Sequence, residues 1–249
     1  MKPPALLALD TSTRYCSVAL YCPDTPGPRA PDGMYQQHYD SGPQSSAHVL
    51  PAVAALLDQA GLELDDCTAL AFGRGPGSFT GVRTAVGVAQ GLAFGAALPV
   101  ISVSSLLACA QALDTRRPLA AGEQVLVAVD ARMDEVYWAV YARGAAPGEW
   151  QQTHAPEVGP PESVPRPAGA FHVAGNAPTL FGARLHAAQG AVSCDVEAMP
   201  HAAEVARLAW RAWQCGETLS ADQAMPEYVR NKVAQTVAER AAARGTSAA

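Results

Sequence analysis

Between Thr84 and Leu113 the chain runs for 30 residues without Asp, Glu, Lys, Arg or His. A stretch of that length is either a membrane span or a set of elements buried in a folded domain. A span needs about 20 predominantly apolar residues in succession. Here Gly87, Gln90, Gly91, Gly95, Pro99, Ser102, Ser104 and Ser105 dilute the run, and Pro99 divides it into two pieces of different texture. The stretch therefore predicts a buried helix followed by a buried strand, and no membrane. Composition agrees with dense packing: 49% of residues are apolar and only 16% charged, against about 25% charged in ordinary globular chains. The 249 residues suffice for two domains of ~100–150 residues each, and this composition excludes disorder.

The net charge is −6, with 15 Arg and 2 Lys thinly spread. A chain that grips nucleic acid unaided carries a basic face, so any such role here needs a partner to supply positive surface. The apolar run Ala5–Leu9 is short against the ~7–15 residues of a secretion signal, which points to the cytoplasm. Cys16, Cys22, Cys67, Cys109, Cys194 and Cys215 form no CxxC pair and are expected to be buried thiols rather than zinc ligands or disulfides. The six histidines, at 38, 48, 154, 172, 186 and 201, include no HxxxH or HExxH, and Ser78 lacks the G-x-S-x-G elbow. Neither a metal site nor a nucleophile–base pair is legible.

Residues 5–10 (ALLALD) and 15–21 (YCSVALY) predict two strands joined by a tight turn. Residues 22–33 hold four prolines and read as loop, and 34–40 as a third strand. Residues 47–60 predict an amphipathic helix capped by Ser46 and ended by Gly61, with Pro51 tolerable only in its first turn. A strand over 69–73, a helix from Thr80 to Gly95 and the strand VISV complete an α/β unit. A second unit, 104–249, follows the first, 1–103. It reads as a helix over 104–113, strands over 124–130, 136–142 and 149–154, and a loop over 156–167 with five prolines. A strand over 170–174, a helix over 178–188, a strand over 192–196 and a helix from His201 to Cys215 complete it, before a tail that frays after Ala238. Each half opens with a strand ending in Asp, a tight turn and an antiparallel strand, which points to duplication of one unit.

The strongest local signal is the loop Gly73, Arg74, Gly75, Pro76, Gly77, Ser78, Phe79, Thr80, Gly81 between a strand and a helix. Such a loop either aims backbone N–H groups at an anion or lets the helix sit close to the sheet. It is neither a Walker A loop nor a GxGxxG fingerprint. In the helix that follows, Gly87, Gly91 and Gly95 share a face, and Gly81, Ala85, Ala89 and Ala93 form a second small-residue row. Interior glycine costs about 1 kcal/mol relative to Ala. Three on one stripe imply a close neighbour, either the molecule's own sheet or a helix of a partner. The turns Asp10-Thr11-Ser12 and Asp130-Ala131-Arg132, facing across a cleft, would suit a phosphate chain and a metal ion.

Three segments, LALDTSTRYCSVAL, ALAFGRGPGSFTGVRTAVGVAQGLAFG and VAVDARMDEVYWAVY, with PEYVRN near the end, resemble the TsaB (YeaZ) family of bacteria. The resemblance is weak over 22–45 and 144–200. It implies two ribonuclease-H-like halves of the actin/Hsp70/sugar-kinase architecture. It also implies a role in forming N6-threonylcarbamoyladenosine at position 37 of tRNAs reading ANN codons. The implied role is not catalytic: a chain of this family activates the transferase TsaD, with the ATPase TsaE, forms homodimers when alone, and meets tRNA only through the complex. The implied docking surface is the helix Thr80–Gly95, with Thr80, Arg83, Thr84, Gly87, Val88, Gly91, Leu92 and Gly95. No tightly bound cofactor or metal is implied, and ATP or ADP only at interfaces of the complex. A small-molecule kinase or ATPase, or a metallopeptidase-like hydrolase, are the alternatives. The chain departs from its relatives in carrying Ser45, with His48 three residues on, where a histidine is frequent. It departs from the superfamily's kinases at Ser12, at Ala131-Arg132 and at Gly175-Asn176. Asp10, Thr11, Ser12, Asp130 and Arg132 thus read as a vestigial nucleotide cleft.

Overall fold

The computed structural model describes residues 4–25, 30 and 32–230. Its frame is two mixed sheets of five strands each. In the first, β1 (Leu6–Asp10), β2 (Tyr15–Tyr21) and β3 (Met34–Asp40) form an antiparallel meander, and β4 (Ala69–Gly73) and β5 (Val100–Val103) add in parallel beyond β1. The second repeats this plan with β6 (Gln124–Asp130), β7 (Val136–Arg143) and β8 (Trp150–Gly159) as the meander and β9 (Phe171–Ala174) and β10 (Ser193–Asp195) in parallel. The orders β3-β2-β1-β4-β5 and β8-β7-β6-β9-β10 are the same topology, as the matching strand–Asp–turn–strand openings predict.

Both faces of the first sheet are covered, which is why β1 is apolar at successive positions rather than alternating. Leu7 and Leu9 pack with Val49, Leu56 and Val86 of α1 (Ser45–Ala60) and α2 (Phe79–Gly95). Leu6 and Ala8 pack with Ala202, Val205, Ala206 and Ala209 of α5 (Ala202–Gln214). Helix α5 follows the second sheet in the chain yet seats on the first, where its alanine row permits close approach. Leu219 then pairs with Val100 in an isolated antiparallel bridge. On the second sheet, α3 (Ser105–Arg116) sets Leu106, Cys109 and Leu113 against Val125, Val127 and Tyr141. The short α4 (Ala177–Phe181) and Leu185 cover the other face at Leu126, Trp138 and Phe171. The uncharged window resolves into most of α2, all of β5 and most of α3. Among the described residues no helix is long and apolar enough to cross a membrane.

Several boundaries differ from expectation. Helix α1 begins at Ser45, with Gln44 at its cap position and no capping side chain, so Ser46 is inside it. Pro51 consequently sits in the second turn, not the first. It and Ala47, whose carbonyl loses its helical donor, are both exposed, so water can replace the bond. Gly61 does end the helix, with φ 66°. Strand β8 continues to Gly159 through Pro156, inside the span expected as loop. It is an edge strand whose pairing slips between Trp138 and Val140, so Pro156 removes no regular ladder bond. The helix expected over 178–188 ends at Phe181, where Gly182 takes φ 51°, and two 3-10 turns follow. Cys194 and Cys215 are exposed rather than buried, and all six thiols are free. The tail beyond Ala238 lies outside the described residues.

Candidate functional site

The glycine loop is shaped by the turn beneath it. A Cβ on Gly73 would overlap the Asp10 carboxylate, one on Gly77 the Ser12 carbonyl, and one on Gly81 the Thr11 carbonyl. Gly75 adopts φ 97°, open mainly to glycine. The Ser78 N–H donates to the Ser12 carbonyl at 2.6 Å, the Thr11 hydroxyl donates to the Gly81 carbonyl at 2.6 Å, and Ser78 Oγ caps α2 by accepting from Gly81 N–H at 3.4 Å. The N–H groups of Arg74 and Gly75 donate to the Val103 carbonyl (2.8 Å) and Ser105 Oγ (3.2 Å). Close packing therefore accounts for the glycines, and these N–H groups are directed at protein acceptors rather than at an anion.

Asp10 and Thr11 lie under this loop and are buried. One Asp10 oxygen accepts from Ser12 N–H (2.9 Å) and Ser12 Oγ (2.7 Å), and the other accepts from Ser105 Oγ (2.9 Å). Burial raises the Asp10 pKa above the usual carboxylate value, and these hydrogen bonds oppose the rise. Ser12, Asp130 and Arg132, by contrast, line a cavity of about 980 Å³ between the two sheets, with Tyr15, His38 and Met199. The three arginines among its described lining are paired, Arg14 with Asp40, Arg132 with Asp130 (3.1 Å) and Arg230 with Glu135. Asn176 accepts from Asp130 N–H at 2.9 Å and braces the second turn. The Asp10 carboxylate thus faces the protein interior, and each arginine at the cavity has an acidic partner already. Among the described residues no three His, Cys, Asp or Glu side chains converge on a possible metal position.

Helix α2 resolves its two small-residue rows. Gly81, Ala85, Ala89 and Ala93 are buried against the first sheet. Gly87, Gly91 and Gly95 are exposed, and among the described residues a Cβ on any of them would meet nothing within 4 Å. Packing among the described residues does not explain this stripe. Thr80 and Arg83 are exposed on the same arc, and Thr84, Val88 and Leu92 lie half-buried along it. Phe94 is 84% exposed beside the stripe, and Leu50 on the neighbouring α1 is 49% exposed. Arg83 is engaged within the molecule: its Nε donates to Tyr228 Oη at 2.7 Å, and its guanidinium lies 3.7 Å from the centre of the Phe79 ring.

Two groups of residues receive no place in the site from the sequence. One is Glu227–Arg230, which lines the cavity; the PEYVRN segment that holds it enters the sequence reading only as part of the family resemblance. The other is a ring stack of Tyr15, His38 and His201, with centroids 4.6 and 4.1 Å apart. His201 Nδ1 accepts from Ala203 N–H at 3.2 Å and so caps α5. No local pattern connects residues 163 positions apart.

The family model described as "TsaD: tRNA N6-adenosine threonylcarbamoyltransferase" matches residues 40–155. The tRNA threonylcarbamoyladenosine biosynthesis protein TsaB of Escherichia coli is 38% identical over 235 residues, covering 92% of this chain and 96% of that protein. Its namesake in Haemophilus influenzae is 37% identical over 247 residues, covering 94% and 96%. Among solved structures, YeaZ from Pseudomonas aeruginosa superposes with a TM-score of 0.78 at 40% identity, covering 90% of this chain and 99% of that one. A further Pseudomonas aeruginosa protein, described as similar to peptidase YeaZ, gives 0.80 at 40% identity, covering 91% and 100%. With two sheets of one shared topology, the Asp-turn pair and near-complete coverage of these relatives, the chain belongs to the TsaB family of tRNA threonylcarbamoyladenosine biosynthesis proteins.

Proposed function

We propose that this chain acts in tRNA threonylcarbamoyladenosine formation as a non-catalytic subunit that docks on TsaD through α2 and activates it, with TsaE joining the assembly. The observation that carries this reading is the outward glycine stripe. Each of Gly87, Gly91 and Gly95 weakens an isolated helix by about 1 kcal/mol, and no described residue approaches them. Their cost is offset only when another surface closes on the stripe, and bare backbone lets a helix approach at short range. The exposed Phe94 supplies an apolar anchor beside it. The occupied Asp10 carboxylate and the paired cleft arginines support a scaffold over a kinase. The chain forms a homodimer through the same face when alone, works in the cytoplasm, meets tRNA only through the complex, and sees ATP or ADP only at subunit interfaces.

The test is Gly91→Leu in the full chain. Its side chain enters open space, so at a dilution where the chain is monomeric circular dichroism and melting stay close to the parent. Affinity for TsaD falls by more than about tenfold, as expected for a large side chain wedged into a helix–helix contact, and reconstituted tRNA modification falls with it. Unchanged affinity and unchanged modification would overturn the docking role of α2.

A further inference from the structure

The segment Glu227–Arg230 bonds to three parts of the molecule that are distant in sequence. Glu227 N–H donates to the Arg74 carbonyl at 2.7 Å, and its carboxylate pairs with Arg74 Nε at 3.0 Å. Tyr228 Oη accepts from Arg83, and its ring lies 6.0 Å from Phe79, both on the first turns of α2. Arg230 donates to the Ala131 carbonyl at 3.0 Å, to Met133 Sδ at 3.4 Å and to the Glu135 carboxylate. One strap of four residues thus joins the glycine loop, the start of α2 and the second turn.

That second turn is under strain. Arg132, Met133 and Asp134 have φ of 61°, 55° and 62°, three successive non-glycine residues in the left-handed region. Each costs about 1–2 kcal/mol relative to the right-handed region, so the conformation persists only while surrounding contacts hold it. On the outer side Arg184 grips Asp134 with two bonds of 2.7 Å. On the cavity side Arg230 holds it, beside the Arg132–Asp130 pair within the turn itself. Loosening such a clamp would favour a less strained setting of the turn.

We propose that Glu227–Arg230 is a coupling strap, which makes the setting of the strained turn 132–134 depend on the first turn of α2. Resting on the docking role of α2, it has a second consequence. A protein seated on α2 bears on Arg83 and Phe79, shifts Tyr228, and so tightens or releases the turn at the cavity mouth. By linkage, the turn's setting changes the affinity of α2 for that protein by the same factor.

Amide hydrogen exchange on the full chain, diluted until it is monomeric, tests the coupling without any partner. Tyr228→Phe removes only the hydroxyl that holds Arg83, and Arg230→Met removes only the guanidinium that holds the turn. Each variant is expected to speed exchange by about tenfold at both ends, the amides of 131–135 and of 81–84, while β1 stays protected. The double variant is expected to fall short of the product of the two single effects. If each variant loosens only its own end, or the effects multiply, the strap is two independent contacts and the proposal fails. Should Arg230→Met not fold, Glu135→Gln breaks the same pair from the other side. Added TsaD is expected to alter exchange at 131–135 in the parent and not in Tyr228→Phe; no change in the parent would sink the second consequence. Gly91→Leu separates the two readings, since it abolishes docking and, compared with the parent at a dilution where both are monomeric, leaves exchange at 131–135 unchanged.

Discussion

Glycines in this chain serve opposite ends, and substitution by alanine distinguishes them. Gly81→Ala would drive a Cβ into the Thr11 carbonyl. Relief requires moving backbone, so a loss of about 2–3 kcal/mol is expected, or a fall in melting temperature of roughly 5–10 °C for a chain of this size. Gly87→Ala fills open space in a helix, so the free chain should gain up to ~1 kcal/mol while binding TsaD more weakly. Measured where the chain is monomeric, a Gly87→Ala protein that melts lower than the parent would contradict the open placement of the stripe. His201 makes a third case. Its pKa is lowered from 6.5 to about 4, chiefly by burial and also by the adjacent His38, itself lowered by burial. Between those values the unfolded chain binds a proton that the folded chain refuses. Stability is therefore full above about pH 6.5 and declines as pH falls towards 4, by on the order of 1–3 kcal/mol. Thermal melts across that range should show the decline, and His201→Asn, which keeps a capping acceptor, should flatten it.

At the scale of elements, α2 is the piece on which the rest depends. Its buried row of Gly81, Ala85, Ala89 and Ala93 lets it lie close on β1 and β4, and its start is capped by Ser78 over the Asp10 turn. The opposite face is held in register by its neighbours rather than by its own propensity. Gln90 Nε2 donates to the Ala224 carbonyl at 2.9 Å and Arg83 reaches Tyr228. Under the proposed docking role, a helix held this way would be ordered before its partner arrives, and little entropy would be lost on binding. The periodicity of small residues was legible in the sequence as two rows on one helix. Which row faced the sheet was not, because both were equally small and equally uncharged.

The whole molecule is bound together by α5. That helix supplies Ala202, Val205, Ala206 and Ala209 to the core on the far side of the first sheet, and Ala202 N–H donates to Ser17 Oγ at 2.8 Å. Residues 1–103 expressed alone would expose Leu6, Ala8, Ala71 and Ile101, which are buried in the complete chain. Losing several such burials, at about 25 cal/mol per Å², is large against a typical total stability of 5–15 kcal/mol. The fragment is therefore expected to show no cooperative melt by far-ultraviolet circular dichroism, whereas the complete chain melts in a single transition. A cooperative melt of 1–103 would mean that α5 adds little to the first sheet.

Elements and their order were readable from local pattern: the strands ending in Asp10 and Asp130, the glycine loop, α2, and the repeated plan of the two halves. The family, too, was legible in three short segments. These are features that neighbouring residues enforce on one another through spacing, turn chemistry and apolar periodicity. Tertiary structure alone decided that Asp10 points inward to Ser12 and Ser105 while Asp130 borders the cavity, although both end equivalent strands. It alone set Gly87, Gly91 and Gly95 outward, sent α5 back to the first sheet, and laid Glu227–Arg230 across the cavity mouth. Each of these depends on contacts between residues tens to hundreds of positions apart, and the free energy that selects them is packing between surfaces, which no single segment carries.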